Sequence, residues 1–200
     1  MPRVLYRRDR RRVVEQTGVV PALRPFVVVS GPPASGKSTL APLLAQQLEL
    51  PLLAKDTIKD ALITALGADD VEASRRLGRA SVAVLYALAA ASPVGAVLET
   101  VLFRSVASAE LRRLPGTVIE VFCCCDRDTA LRRYRQRAGT RHAGHFDAQR
   151  TVEELWNTDN AEPVAGGWPV LEVDTTRTVG LDRLVNRIRA TLGLSDTNGT

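Results

Sequence analysis

Eight consecutive residues, Gly31-Pro32-Pro33-Ala34-Ser35-Gly36-Lys37-Ser38, carry the spacing GxxxxGKS, with Thr39 directly behind them. Glycines at these two places let backbone N–H groups come close to a phosphate chain that a side chain would hold off. Lys37 then falls on the β- and γ-phosphates of a nucleotide, and the Ser38 hydroxyl is a ligand for Mg²⁺. Phe26-Val27-Val28-Val29-Ser30 before the loop reads as a short buried strand, and an apolar-patterned helix runs from Lys37 to about Leu48. Strand, glycine loop and helix together aim a helix N-terminus at bound phosphate. The chain is therefore expected to bind ATP with Mg²⁺. It has no NKxD guanine motif and no obvious glutamine to position water beside the loop, which sets ATP ahead of GTP and transfer ahead of simple hydrolysis.

Phosphoryl transfer also needs an acceptor hydroxyl held in line and charge neutralised on the transferred oxygens. Such groups belong at the carboxyl ends of parallel strands. Asp56 follows Leu52-Leu53-Ala54-Lys55 and is placed to accept the hydroxyl's proton or hold it in line; a helix N-cap is the competing role. Glu99 ends Ala96-Val97-Leu98, the pattern of a Walker B strand, and would hold the Mg²⁺ shell or the acceptor, or simply end a strand in solvent. Arg104, five residues on, would bind substrate or orient Glu99. Thr175, after Val170-Leu171-Glu172-Val173, lies where a base-contacting loop or an ordinary turn would be.

The elements that must position these groups alternate along the chain. Strands are predicted over 26–30, 51–54, 95–99, 118–124 and 170–173, and helices over 37–48, 57–66, 71–91, 105–113, 126–138, 151–158 and 181–192. That alternation argues for a parallel sheet wrapped by helices. Pro42 removes a hydrogen bond from the first helix. The helix over 71–91 is expected to pack on the sheet through Leu77, Ala80, Val84, Leu85 and Leu88. Cys123, Cys124 and Cys125 would point to alternating faces of a strand, which suits small core residues better than a metal site. The stretch from 132 to 150 is different, rich in Arg, Gly and His. Such a run is usually a solvated face, but it follows the fourth strand of a phosphate-loop chain, where kinases of similar kind carry a lid; Arg133, Arg137 and Arg141 are then the candidates to meet charge on the transferred phosphoryl. His142 and His145 read as loop structure or substrate contacts rather than zinc ligands.

Two hundred residues make one domain, spanning 25–194, with a polar tail at 195–200. Of 27 basic residues only three are lysines, so the arginine content reflects coding bias more than function. The net charge of +5 sits in the first 25 residues, leaving the remainder neutral. The basic extension over 1–24 could touch nucleic acid, yet few aromatic residues are available as stacking platforms. No apolar segment is long enough for a membrane span or a signal peptide, so a cytoplasmic protein is expected.

With the loop, Asp56, Glu99 and the arginine stretch in view, residues 26–192 resemble small P-loop kinases of the AAA_33-type group, whose relatives include phage polynucleotide kinase, chloramphenicol phosphotransferase and the zeta toxins. The resemblance implies a five-stranded parallel sheet of order 2-3-1-4-5. It also implies that Lys37 and Ser38 form the ATP·Mg²⁺ site, Asp56 is the general base, and the arginines of 132–141 form the lid. The expected activity is transfer of the ATP γ-phosphate to a hydroxyl of a small molecule. A polynucleotide 5′-hydroxyl kinase and a non-catalytic ATP-binding switch are the alternatives.

Overall fold

The computed structural model describes residues 24–138 and 141–194. The basic extension up to residue 23, positions 139 and 140 of the expected lid, and the 195–200 tail lie outside the described residues. The chain runs β1 (Pro25–Ser30), α1 (Lys37–Leu48), β2 (Leu52–Ala54), α2 (Lys55–Leu66), α3 (Val71–Ala91), β3 (Ala96–Glu99) and α4 (Arg104–Leu111). It continues through β4 (Thr117–Cys124), α5 (Arg127–Ala138), two short 3₁₀ turns, α6 (Val152–Leu155), β5 (Val170–Asp174) and α7 (Leu181–Leu192). All strands pair in parallel, in the order β2-β3-β1-β4-β5, the expected topology.

The sheet is covered on both faces, which is why β1 and β3 are apolar at nearly every position instead of alternating. Val27, Val29, Val97, Ile119 and Val121 meet Leu40 and Leu44 of α1 and Ile188 of α7 on one face. Phe26, Val28, Leu98 and Val118 meet Leu85 of α3 and Leu111 of α4 on the other. Pro42 stays within an unbroken α1, so the Ser38 carbonyl forgoes its usual intrahelical partner.

Four expectations change, the first being that the helix predicted over 151–158 is only the single turn α6. The helix α2 begins at Lys55, which puts Asp56 inside its first turn; the N-cap is Ala54, without a side-chain cap, so Asp56 is not a capping residue. The buried face of α3 is Ser74, Ser81, Leu85 and Ala89, while Val84 and Leu88 are exposed. An alanine-rich helix has too weak an apolar contrast for its facing to be read from periodicity alone. Of the three cysteines only Cys123 is buried, its thiol pushed up to about 12 by burial, whereas Cys124 and Cys125 are partly exposed.

Candidate nucleotide and acceptor site

At the carboxyl edge of the sheet the chain leaves β1 at Ser30 and turns sharply. Gly31 has φ 130°, and a Cβ there would lie 2.2 Å from the carbonyl oxygen of Cys123 on the neighbouring strand. Gly36 has φ 89° and closes the loop against Thr175; the amides of Thr39 and Leu40 both donate to its carbonyl at 3.1 Å, which starts α1. Ala34 also takes a left-handed conformation, φ 60°, uncommon outside glycine.

Lys37 is buried and curls back over the loop, donating to the Pro32 carbonyl at 2.6 Å. Burial pulls its amine down to about 8, against the opposing pull of Glu99. The Ser38 hydroxyl donates to Glu99 Oε1 at 3.1 Å. Burial lifts Glu99 above its ordinary range, with Lys37 acting in the other direction. A hydroxyl and a carboxylate converging beside a phosphate loop form an oxygen-only donor set, the set that Mg²⁺ takes. The residues present therefore fit the metal.

Asp56 faces the same cavity. Burial pushes its carboxyl up, but the Lys55 and Arg141 cations outweigh this and hold it well below the usual carboxylate range. Arg141 Nη2 reaches Asp56 Oδ2 at 2.6 Å, and its Nη1 spans both Asp147 oxygens at 3.1 and 3.0 Å. One turn further along α2, Asp60 Oδ1 lies 2.6 Å from Nε2 of the buried His145. Two acids spaced i, i+4 thus grip two residues spaced i, i+4 on the segment after α5. His142 makes a different contact, accepting the Gly144 amide at its Nδ1.

The arginines expected to form a lid divide. Arg133, Arg137 and Arg141 line the cavity. Arg133 holds the Thr175 carbonyl at 2.8 Å, and the Thr175 hydroxyl donates to the Ser35 carbonyl at 2.8 Å. Thr175 is buried, so it braces the phosphate loop from behind. Arg137 lies 5.6 Å over the Tyr134 ring, and that ring meets Trp156 edge-on at 5.3 Å. Arg132 instead bonds to Thr129. Arg104 is not brought to the site: its guanidinium pairs with Glu162 at 2.6 Å, because α4 starts there and turns the side chain away from β3.

Sequence reasoning missed several residues that line or brace the cavity. Trp156 Nε1 donates to the Pro33 carbonyl at 3.2 Å and ties α6 to the phosphate loop. Lys59 and Ser74, both buried, line the cavity from α2 and α3, with Gly78 beside them. A tryptophan in a polar stretch was the only available signal; nothing local marks Lys59. The cavity has a volume of about 1100 Å³, at the large end of the roughly 300–1000 Å³ usual for ligand pockets. Among the described residues no helix is long and apolar enough to cross a membrane, and no three His, Cys, Asp or Glu side chains cluster to hold a metal.

The model of the AAA domain family (AAA_33) matches residues 26–158. No curated protein sequence matches the chain. Among solved structures, a "putative kinase" from Chloroflexus aurantiacus is 29% identical with a TM-score of 0.74, covering 84% of this chain and 97% of its own. Shikimate kinase from Acinetobacter baumannii, in complex with shikimate, is 18% identical with a TM-score of 0.54, covering 90% and 97%. The Mycobacterium tuberculosis APS kinase, in complex with AMPPNP and APS, is 18% identical with a TM-score of 0.54, covering 86% and 99%. At that identity the last two establish a shared fold. With its phosphate loop, its sheet order and a family match over two thirds of its length, the chain belongs to the AAA_33 family of AAA domains and has the fold of the P-loop kinases.

Proposed function

We propose that the protein is an ATP-dependent kinase that transfers the γ-phosphoryl group to a hydroxyl of a small molecule. The observation that carries this reading is the convergence of Lys37, Ser38, Glu99 and Asp56 on one cavity roofed by Arg133, Arg137 and Arg141. The phosphate loop and Lys37 would hold the nucleotide's phosphates. Ser38 and Glu99 would hold Mg²⁺, directly or through water, and when bound the metal neutralises charge on the phosphate oxygens. A carboxylate keeps about four lone-pair sites, so Asp56 can accept an acceptor hydroxyl beside its two cations.

A strongly acidic Asp56 does not strip a proton from the hydroxyl early. It holds the oxygen in line and takes the proton late, as suits a loose phosphoryl transition state in which little covalent help is needed. The arginines would stabilise charge on the transferred oxygens and exclude water, limiting futile hydrolysis. The "putative kinase" from Chloroflexus aurantiacus is a nearer likeness than the fold-level neighbours and favours the same class.

The test is transfer of labelled γ-phosphate from Mg·ATP into an acceptor panel of nucleosides, sugars, hydroxy acids, sugar phosphates and 5′-hydroxyl oligonucleotides. Asp56→Asn should bind ATP normally and lose transfer by about 10²–10⁴-fold. Undiminished transfer in that variant would remove Asp56 from the mechanism. Label released only as inorganic phosphate would make the protein an NTPase.

A further inference from the structure

The acceptor half of the cavity has a charge that the chain itself leaves unanswered. Lys59 is 3% exposed, yet among the described residues its ammonium has a single hydrogen bond, to the Ser74 hydroxyl at 2.7 Å. Among the described residues no carboxylate lies within ion-pair distance of it. An ammonium has three donors, and a buried one normally meets an acid. The neighbouring cations are already engaged: Lys55 and Arg141 with Asp56, Arg150 and Arg75 with Glu154.

The whole lining points the same way. Among the described residues ten Lys or Arg line the cavity against five Asp or Glu. Mg·ATP brings about −2 net charge, which leaves about +3 for a second ligand to meet.

Space has been left beside Lys59 as well. Ser74, Gly78, Val82 and Tyr86 recur every fourth residue on α3, so they share one face, and all four line the cavity. Gly78 lies in the middle of a 21-residue helix with ordinary helical backbone, where glycine is the costly choice. A Cβ there would meet nothing closer than Lys59 Cε at 4.0 Å. Neither conformation nor crowding within the chain calls for this glycine. Its effect is to keep the wall next to Lys59 open.

We propose that Lys59, with Ser74 and the space at Gly78, is a binding site for an anionic oxygen group of the acceptor, so that the substrate is a hydroxyl compound bearing a carboxylate or a phosphate. This rests on the kinase reading for the word acceptor, but the site itself does not. Lys59 and Asp56 are three residues apart on α2, a rise of about 4.5 Å. The anionic group therefore lies a few bonds from the hydroxyl that is phosphorylated, with the apolar body of the substrate against Val82, Tyr86 and Phe103.

The experiment uses the full chain with saturating Mg·AMPPNP, which fills the phosphate loop. Binding of benzoate and phenyl phosphate is followed by saturation-transfer NMR, with benzamide and benzyl alcohol as uncharged controls. Wild type should bind one or both anions in preference to the controls, and the preference of carboxylate over phosphate identifies the group. Lys59→Met should weaken the anion by about 10–100-fold, the value of a charge-assisted hydrogen bond, and leave AMPPNP affinity unchanged. Gly78→Ala, which keeps the charge and the fold, should weaken the same anion. Anions that bind no better than the controls, or equally well to Lys59→Met, overturn the site. Transfer assays with 3-(hydroxymethyl)benzoate, glycerol 3-phosphate and their uncharged counterparts separate the two readings. Lys59-dependent anion binding without transfer to any acceptor would keep the site and remove the kinase. Equal transfer to charged and uncharged acceptors would keep the kinase and remove the site.

Discussion

Glu120 in the body of the sheet and Lys59 in the wall of the cavity are both buried charges, 0% and 3% exposed, and they are kept there in opposite ways. Glu120 interrupts an apolar strand, but its carboxylate accepts from the Ser30 hydroxyl at 2.6 Å, the Val164 and Ala165 amides at 3.1 and 3.2 Å, and the Trp168 indole at 3.3 Å. Its solvation shell is rebuilt by the protein, and it fastens the loop before β5 to the central strands. Lys59 has one hydroxyl for a partner and a cavity beside it. A charge whose partners are complete holds a fold together, whereas one whose partners are incomplete is held ready for something else.

Lys37 belongs with Lys59 on this view. Its Nζ leans on the Pro32 carbonyl and, at 3.4 Å, the Ser35 hydroxyl, neither of which is an ionic partner. Among these buried charges the largest effect is therefore expected from Lys37→Ala. Loss of a preorganised cation at the transferred phosphoryl should lower kcat/KM for transfer by about 10²–10³-fold, with weaker ATP binding in a titration and no fall in the thermal midpoint, since the cost of burying the charged amine is removed with it. Unaltered transfer would count against the whole site.

Glu120→Ala should do the reverse. Stranding four donors in the interior should cost on the order of 3 kcal/mol of unfolding free energy. That corresponds to a fall in Tm of about 6–12 °C in a chain of this size. Nucleotide affinity measured well below that temperature should be retained. A small loss of stability would mean that water reaches the Glu120 pocket and that the contrast with Lys59 is one of degree.

Lys59→Met should raise stability at neutral pH, by about 3 kcal/mol, since burial holds the amine down at about 8 and each pKa unit is about 1.4 kcal/mol. The sign follows from the direction. Below about pH 8 the native amine is charged and the cost of burying it is fully present; as pH rises from there towards the ordinary lysine value of 10.5, that cost is relieved. Wild-type stability, from urea unfolding at pH 7 and pH 9.5, should gain more over that interval than the variant does. Anion binding should run the other way and weaken as pH rises through about 8. The groups facing the amine are Lys55 and Asp56 on its own helix, Ser74 of α3, and Arg141 and Arg150 from the lid side. Lys59→Arg, charged throughout, should flatten that profile.

What the sequence disclosed about these regions follows from how local their causes are. The phosphate loop, and the placing of Asp56 and Glu99 on the cavity beside it, were legible because each position is fixed by a strand end and a few neighbours in the chain. The strands were legible to within a residue because burial on both faces leaves unbroken apolar runs. Lys59 was not, because a lone lysine on a helix reads as solvated, and its burial arises only when α3 folds over α2. Arg104 was misjudged for the converse reason. It is close to Glu99 in sequence, but the start of α4 points it at Glu162. Glu120 gives no local sign of its role, because most of its partners, within residues 164–168, lie more than forty positions later in the chain.

Gly78→Ala provides the smallest effect and the cleanest division between folding and binding. Glycines 31 and 78 differ as Glu120 and Lys59 do. At Gly31 a side chain would strike the Cys123 carbonyl at 2.2 Å from a left-handed backbone, so the fold requires the glycine. At Gly78 the backbone is ordinary helix and the nearest atom is 4.0 Å away, so the fold would prefer alanine. Helix propensity alone gives Gly78→Ala a gain of about 1 kcal/mol, or a rise of about 2–4 °C in Tm. A variant that melts later and yet loses anion affinity would show that the glycine serves the ligand at the expense of the helix. If Tm rises and affinity is untouched, the open space at position 78 has no occupant, and Lys59 must find its partner elsewhere along the cavity wall.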